Sequence, residues 1–181
     1  MQVKSVLLLA LTLGFSIKIM PASLADSTID KSERNTSLVS NIKKTIDVSK
    51  ISIGGLKLGM TTREVTKILG KPRQIKQQYD DTCFQRYTTD LTYNKLKVFM
   101  LGSTKNNARI HSIYTSNPAY RTSEGIRVGN RKSQAKQAYA NFKADGNDKY
   151  PLVYINSSFG GLGFKTRNDL ITSIDLISSS C

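Results

Sequence analysis

A five-residue landmark occurs twice in this chain and limits the folds open to it. Gly55-Leu56-Lys57-Leu58-Gly59 returns as Gly125-Ile126-Arg127-Val128-Gly129, each reading Gly, aliphatic, basic, aliphatic, Gly. Downstream, Ile110-His111-Ser112-Ile113 returns as Ile171-Thr172-Ser173-Ile174, in the same order along the chain. The first pair is offset by 70 positions and the second by 61, so the second copy is shorter between its landmarks. The Gly-Ser-Thr-Lys-Asn-Asn run at 102–107 is the expected place for part of that difference. Self-similarity of this kind signals a body assembled from repeated supersecondary units, each too small to bury its apolar side alone.

Each copy reads as the same succession of elements. The Gly-flanked piece is a short extended lead-in, and its second Gly permits a tight turn into a helix. In the first copy Thr61 is the expected N-cap and Glu64 its capping-box partner. Val65, Ile68 and Leu69 then recur at helical spacing, and Gly70 and Pro72 end the helix. In the second copy Asn130 is the expected cap, and Ala135, Ala138, Tyr139 and Phe142 form the apolar stripe. Strands are expected over 84–93, 96–101 and 109–116, and again over 151–156, 161–165 and 170–178. Asn94-Lys95 suits a tight hairpin, and Phe159-Gly160-Gly161-Leu162-Gly163 suits a turn or bulge. Ile174 and Leu176 alternate with Ser173 and Asp175, which predicts one buried and one wet face.

The fold class implied is α+β. Two tandem helix-plus-antiparallel-meander units, over 51–119 and 120–181, share one antiparallel sheet with both helices packed on one face.

The N-terminal segment sets the compartment. Lys4 is followed by an apolar run from Val6 to Ile17, then by Pro21-Ala22-Ser23-Leu24-Ala25. A charged start, an apolar stretch too short to cross ~30 Å of hydrocarbon, and small residues one and three before a cut predict a cleaved signal peptide over 1–25. The product is then exported, periplasmic or secreted, without a transmembrane anchor. Residues 26–50 are polar, without sustained periodicity, and read as a flexible leader. Export places Cys83 and Cys181 in an oxidising compartment, where an even pair favours a disulfide. Such a bridge would stabilise the fold by up to ~4.7 kcal/mol in the chain-entropy account and would pin the last residue.

Gly-aliphatic-x-aliphatic-Gly followed by a helix ending at Leu69-Gly70-Lys71-Pro72 resembles the SmpA/OmlA group, the BamE-like outer-membrane assembly lipoproteins. The tandem units resemble the β-lactamase-inhibitor-protein group, whose paired units form one concave sheet. These resemblances imply a helix-on-sheet fold and a role in envelope assembly or enzyme inhibition. Two departures stand: no Cys lies near the expected cleavage point, and the lipoproteins have a single unit.

Catalytic signatures are sparse. Two Cys and one His cannot build a four-ligand Cys/His zinc site, and no cofactor is expected. Ser133-Gln134-Ala135-Lys136 fits Ser-x-x-Lys, but the companion Ser-Asp-Asn and Lys-Thr-Gly motifs are missing. No Gly-x-Ser-x-Gly elbow occurs, and no Lys-Ser/Thr follows the Gly-rich run. A net charge of +14 attracts polyanions such as wall polymers or lipid headgroups, but no recognition-helix or RNP-like signature points to specific nucleic-acid binding.

Aromatic residues give the better lead. Tyr87, Tyr93, Tyr114 and Tyr154 fall on expected strands, and Tyr couples rigid contact area to a polar handle. The expected function is a non-catalytic, exported module that binds a protein through the open face of its sheet. The alternatives are a small hydrolase or thiol enzyme using Ser133 or Cys83, and a basic binder of anionic surfaces.

Overall fold

The computed structural model describes residues 43–145, 152–155 and 159–179. The expected signal peptide, most of the leader, and Cys181 lie outside them. The chain begins with a 3-10 turn at Val48–Lys50, then a two-stranded ribbon of β1 (Ser52–Ile53) and β2 (Leu56–Lys57). Helix α1 (Thr62–Leu69) leads into β3 (Gln74–Asp80), β4 (Arg86–Thr92), β5 (Leu96–Gly102) and β6 (Arg109–Thr115). Helix α2 (Lys132–Ala138) leads into β7 (Ala144–Asp145), β8 (Leu152–Ile155), β9 (Phe159–Arg167) and β10 (Leu170–Ser179). The eight later strands form one antiparallel sheet in the order β3-β4-β5-β6-β10-β9-β8-β7. The molecule is thus α+β and dominated by strands.

Local chemistry accounts for the elements. In α1 the Thr61 hydroxyl accepts from the Glu64 N–H at 3.3 Å and Glu64 Oε2 accepts from the Thr61 N–H at 2.7 Å, closing the expected capping box. Those bonds hold the Glu64 carboxyl below its ordinary pKa. Both glycines of each landmark sit at positive φ: Gly55 at 83°, Gly59 at 82°, Gly125 at 82° and Gly129 at 91°. A side chain there would be strained, which is why the landmark needs glycine twice. Tyr93 N–H donates to the Leu96 carbonyl at 2.8 Å, so the β4–β5 connection is the expected tight hairpin.

The lead-ins and meanders meet in matching ways. The Gly59 N–H donates to the Ile110 carbonyl and the Gly129 N–H to the Ile171 carbonyl, both at 2.8 Å. Ile110 N–H returns to Met60 and Ile171 N–H to Asn130, again at 2.8 Å. In β5–β6 the register slips between Phe99 and Met100, leaving His111 as the extra residue; in β9–β10 it slips between Ile171 and Ser173, leaving Thr172 as the extra residue.

Cross-strand register separates the two faces. Leu91, Val98, Ile113, Leu176, Leu162 and Tyr154 follow one another across the sheet and are buried in one hydrophobic core. Both helices lie on this face: the Thr62 hydroxyl meets Met100 Sδ at 3.6 Å, and the Tyr139 ring lies 5.1 Å from Tyr154 and 5.7 Å from Phe164. Val65 of α1 and Ala135 of α2 are fully buried there.

Several expectations are corrected. Asn130 does not cap α2; its side chain accepts from the Arg127 N–H at 2.9 Å, while Gln134 Oε1 accepts from the Arg131 N–H at 2.8 Å. Helix α2 stops at Ala138, which is exposed, and Tyr139 forms its C-cap. Phe159–Gly163 is strand rather than turn, because a Cβ at Gly160 would run into the carbonyls of Ile177 and Ser178 on β10. The end of the expected leader is structural: Ile46 and Val48 are core residues, and Lys44 bridges to Phe142. β3, which periodicity did not reveal, is a full seven-residue strand.

Candidate functional site

The face opposite the helices is the candidate site. Alternation turns every second residue of each strand toward it, and the register lines these residues up in rows. One row runs Thr92–Lys97–Tyr114–Asp175–Gly163 from β4 to β9. The adjacent row runs Asp90–Phe99–Ser112–Ile177–Gly161. Tyr114 is 36% and Ile177 38% exposed, so two large side chains stand diagonal to one another on β6 and β10 at the middle of the sheet. Gly161 and Gly163 place no side chain next to them on β9; Gly161 is buried and Gly163 half-buried.

The β3–β4 turn covers one end of this face. Phe84 packs at 5.8 Å from the Phe99 ring and 5.0 Å from His111, which itself lies 5.9 Å from Phe99. His111 Nε2 is 3.0 Å from the Ser179 carbonyl. A carbonyl only accepts, so Nε2 carries the proton in this contact. Burial pushes the His111 pKa down, and the carbonyl contact partly offsets that. No described helix spans the remainder of the face, from Tyr114 to Lys165.

Two polar groups there sit uncomfortably. Asp175, half-buried beside Tyr114, has its pKa raised by burial and only partly restored by the charge of Lys165. Ser173, two residues earlier on the same face, is buried and its Oγ has no hydrogen-bond partner. A desolvated carboxylate and an unpaired hydroxyl both cost stability, and such groups concentrate where a surface is shaped for a ligand.

The four tyrosines expected to act as a set are not brought together. Tyr114 alone stands on the open face. Tyr154 is buried among Tyr139 and Phe164, donates to the Ala135 carbonyl at 3.4 Å, and is pushed up to a pKa of about 12 by burial. Tyr93 is also in the core and donates to the Gly70 carbonyl at 3.2 Å; burial raises its pKa. Tyr87 stacks edge-on with Tyr79 at 5.2 Å, with Lys105 Nζ 5.9 Å above its ring. It shares its face with Thr89 and Leu91, on the helix side of β4. Odd and even positions of different strands point to opposite faces, so membership of a strand could not group them. Asp175 was within reach of sequence reasoning through the β10 alternation; Ile177 and the paired glycines carried no such signal.

Other candidates resolve as follows. Cys83 is disulfide-bonded and does not titrate. Ser133 and Lys136 are exposed on α2. Among the described residues no group of His, Cys, Asp and Glu could hold a metal ion, and no helix is long and apolar enough to cross a membrane. A shallow cleft of about 530 Å³ lies where the β3–β4 turn meets the β5–β6 loop. Arg86 and Arg109 line it with Tyr79 and Asn107, and no acidic residue does; Arg109 Nη1 donates to the Gly59 carbonyl at 3.1 Å. Comparison with known proteins finds no family model that matches this chain, no matching curated protein and no matching solved structure.

Proposed function

We propose that this chain is an exported, non-catalytic binding module that holds a protein partner against the open face of its sheet, in an envelope-assembly or inhibitor-like role. The observation that carries the reading is Tyr114 and Ile177, each more than a third exposed, at the centre of a face that no described helix spans. Tyr is a preferred anchor at protein interfaces, and the neighbouring Asp175 would regain a partner if a cation from the docked protein reached it. Export rests on the tripartite N-terminal pattern, and it agrees with a disulfide-bonded Cys83. Cys181 is the remaining cysteine of the sequence, and the contacts from Phe84 through His111 to Ser179 bring the end of β10 toward the β3–β4 turn. Cys83–Cys181 is therefore the pairing proposed. A bridged Cys83 also leaves a thiol enzyme without its nucleophile.

The body itself is read as a tandem duplication. Its support is the strand order, which runs outward from β6 and β10 in the same sequence on both sides, and the bulges at His111 and Thr172, which fall on matched landmark positions. Tyr114 and Asp175 face each other across the seam between halves, at positions separated by the same offset of 61 as the landmarks.

The test is retention of a partner from an envelope extract on the immobilised protein. Tyr114→Ala and Ile177→Asp are each expected to lower retention by about tenfold or more, as removal of a hot-spot residue does, with an unchanged circular dichroism spectrum. Retention untouched by both changes, or abolished by moderate salt alone, would sink the reading. In the second case the Arg86–Arg109 cleft and a polyanion become the better account.

A further inference from the structure

β3 is the outer strand of the sheet, paired to β4 on one side only. Six of its seven residues are exposed, and Ile75 and Tyr79 are each 54% exposed. An edge of this length offers a row of unpaired N–H and C=O groups to another strand. Its pairing with β4 runs without a register slip from Gln74 to Asp80, so no bulge twists it away. The opposite edge, β7, is only two residues long.

The sequence of this edge is complementary to itself. When two copies lie antiparallel with Gln77 opposite Gln77, Ile75 of one faces Tyr79 of the other, twice. The flanking residues Arg73 and Asp81, both exposed, lie one position beyond the strand, in a bend and a turn, so opposite charges come near one another at each end of the pair. Lys76 faces Gln78, so no like charges meet. Aromatic–aliphatic and opposite-charge pairs are the stabilising cross-strand combinations. A register centred on Gln78 would place Lys76 opposite Asp80. It would also set Ile75 against Asp81, and Asp80 Oδ1 already accepts from the N–H groups of Thr82 and Cys83 at 3.0 Å each.

The geometry points to a second copy of this chain as the partner of β3, joined edge to edge about a two-fold axis at Gln77 into one continuous sixteen-stranded sheet. This contact leaves the open face clear, so it stands or falls apart from the partner-binding role. Because the contacting strip is narrow, association is concentration-dependent rather than permanent.

Sedimentation equilibrium of the purified protein over a concentration series reads the mass directly. Dimerisation is expected, weakened by about tenfold or more in Ile75→Lys, where two pairs are lost at once. Arg73→Asp and Asp81→Arg should each weaken it, and the double exchange should restore it. The register is read by cysteine cross-linking without reductant, Cys83 being already bonded. Gln77→Cys should yield a covalent dimer, since directly opposed Cβ atoms approach to disulfide distance, and Gln78→Cys should not. A protein that stays monomeric throughout, a dimer indifferent to Ile75→Lys, or cross-linking through residue 78 instead of 77 would each overturn the assignment. These positions are exposed, so unchanged circular dichroism separates lost association from lost folding.

Discussion

Asp175 and His111 occupy the same face of the sheet, and burial shifts them in opposite directions. The folded state raises the Asp175 pKa, so its ionisation opposes folding; that cost is absent below the unfolded value near 3.8 and grows as pH rises through the folded one. Asp175→Asn should therefore raise the melting temperature at pH 7 while leaving it nearly unchanged at pH 3. For His111 the folded pKa lies below 6.5, so the unfolded chain binds the proton first, and stability falls as pH drops through that region. His111→Gln should flatten the melting temperature between pH 7 and pH 5. Calorimetry across pH reads both, and a His111→Gln midpoint that changes between pH 7 and pH 5 just as the wild type's does would contradict the second. Ser133-x-x-Lys136 illustrates a motif that spacing alone could not weigh: both residues are solvent-facing on a seven-residue helix.

Among the elements, α1 has a reciprocal cap, while α2 has only the Gln134 side chain reaching back to the Arg131 N–H. Thr61→Ala removes a hydroxyl that accepts from Glu64 and should cost about 1 kcal/mol in denaturant unfolding, whereas Asn130→Ala should leave α2 in place, because Asn130 bonds to the preceding turn. Elements with a strong local signature were legible before any coordinates: the capping box, the hairpin at Asn94-Lys95, and the aliphatic runs of β5, β6 and β10. β3 was not, since Gln74-Ile75-Lys76-Gln77-Gln78-Tyr79-Asp80 buries almost nothing and so lacks the alternation that burial imposes. β9 was legible over 161–165, but its start at Phe159-Gly160 was read as a turn, because a glycine that permits close approach of β10 looks, in a sequence, like one that permits a turn. Ile46 and Val48 were hidden by polar neighbours, and only the position of the chain beside Phe142 shows why they are buried.

At the scale of the whole molecule, one core runs under both helices and both meanders. On the proposed duplication, neither half would close that core by itself. Separate chains divided between Ala119 and Tyr120 should each lack cooperative unfolding, and an equimolar mixture should regain it through the β6–β10 seam. A half that melts cooperatively alone would show that the seam is dispensable. The seam has a further consequence. Each of its two flanks carries a bulge, at His111 and at Thr172, yet one extra residue carries an imidazole and the other a hydroxyl. A molecule lying across the middle of the sheet thus meets a track with distinguishable ends, and this difference gives it a direction to face.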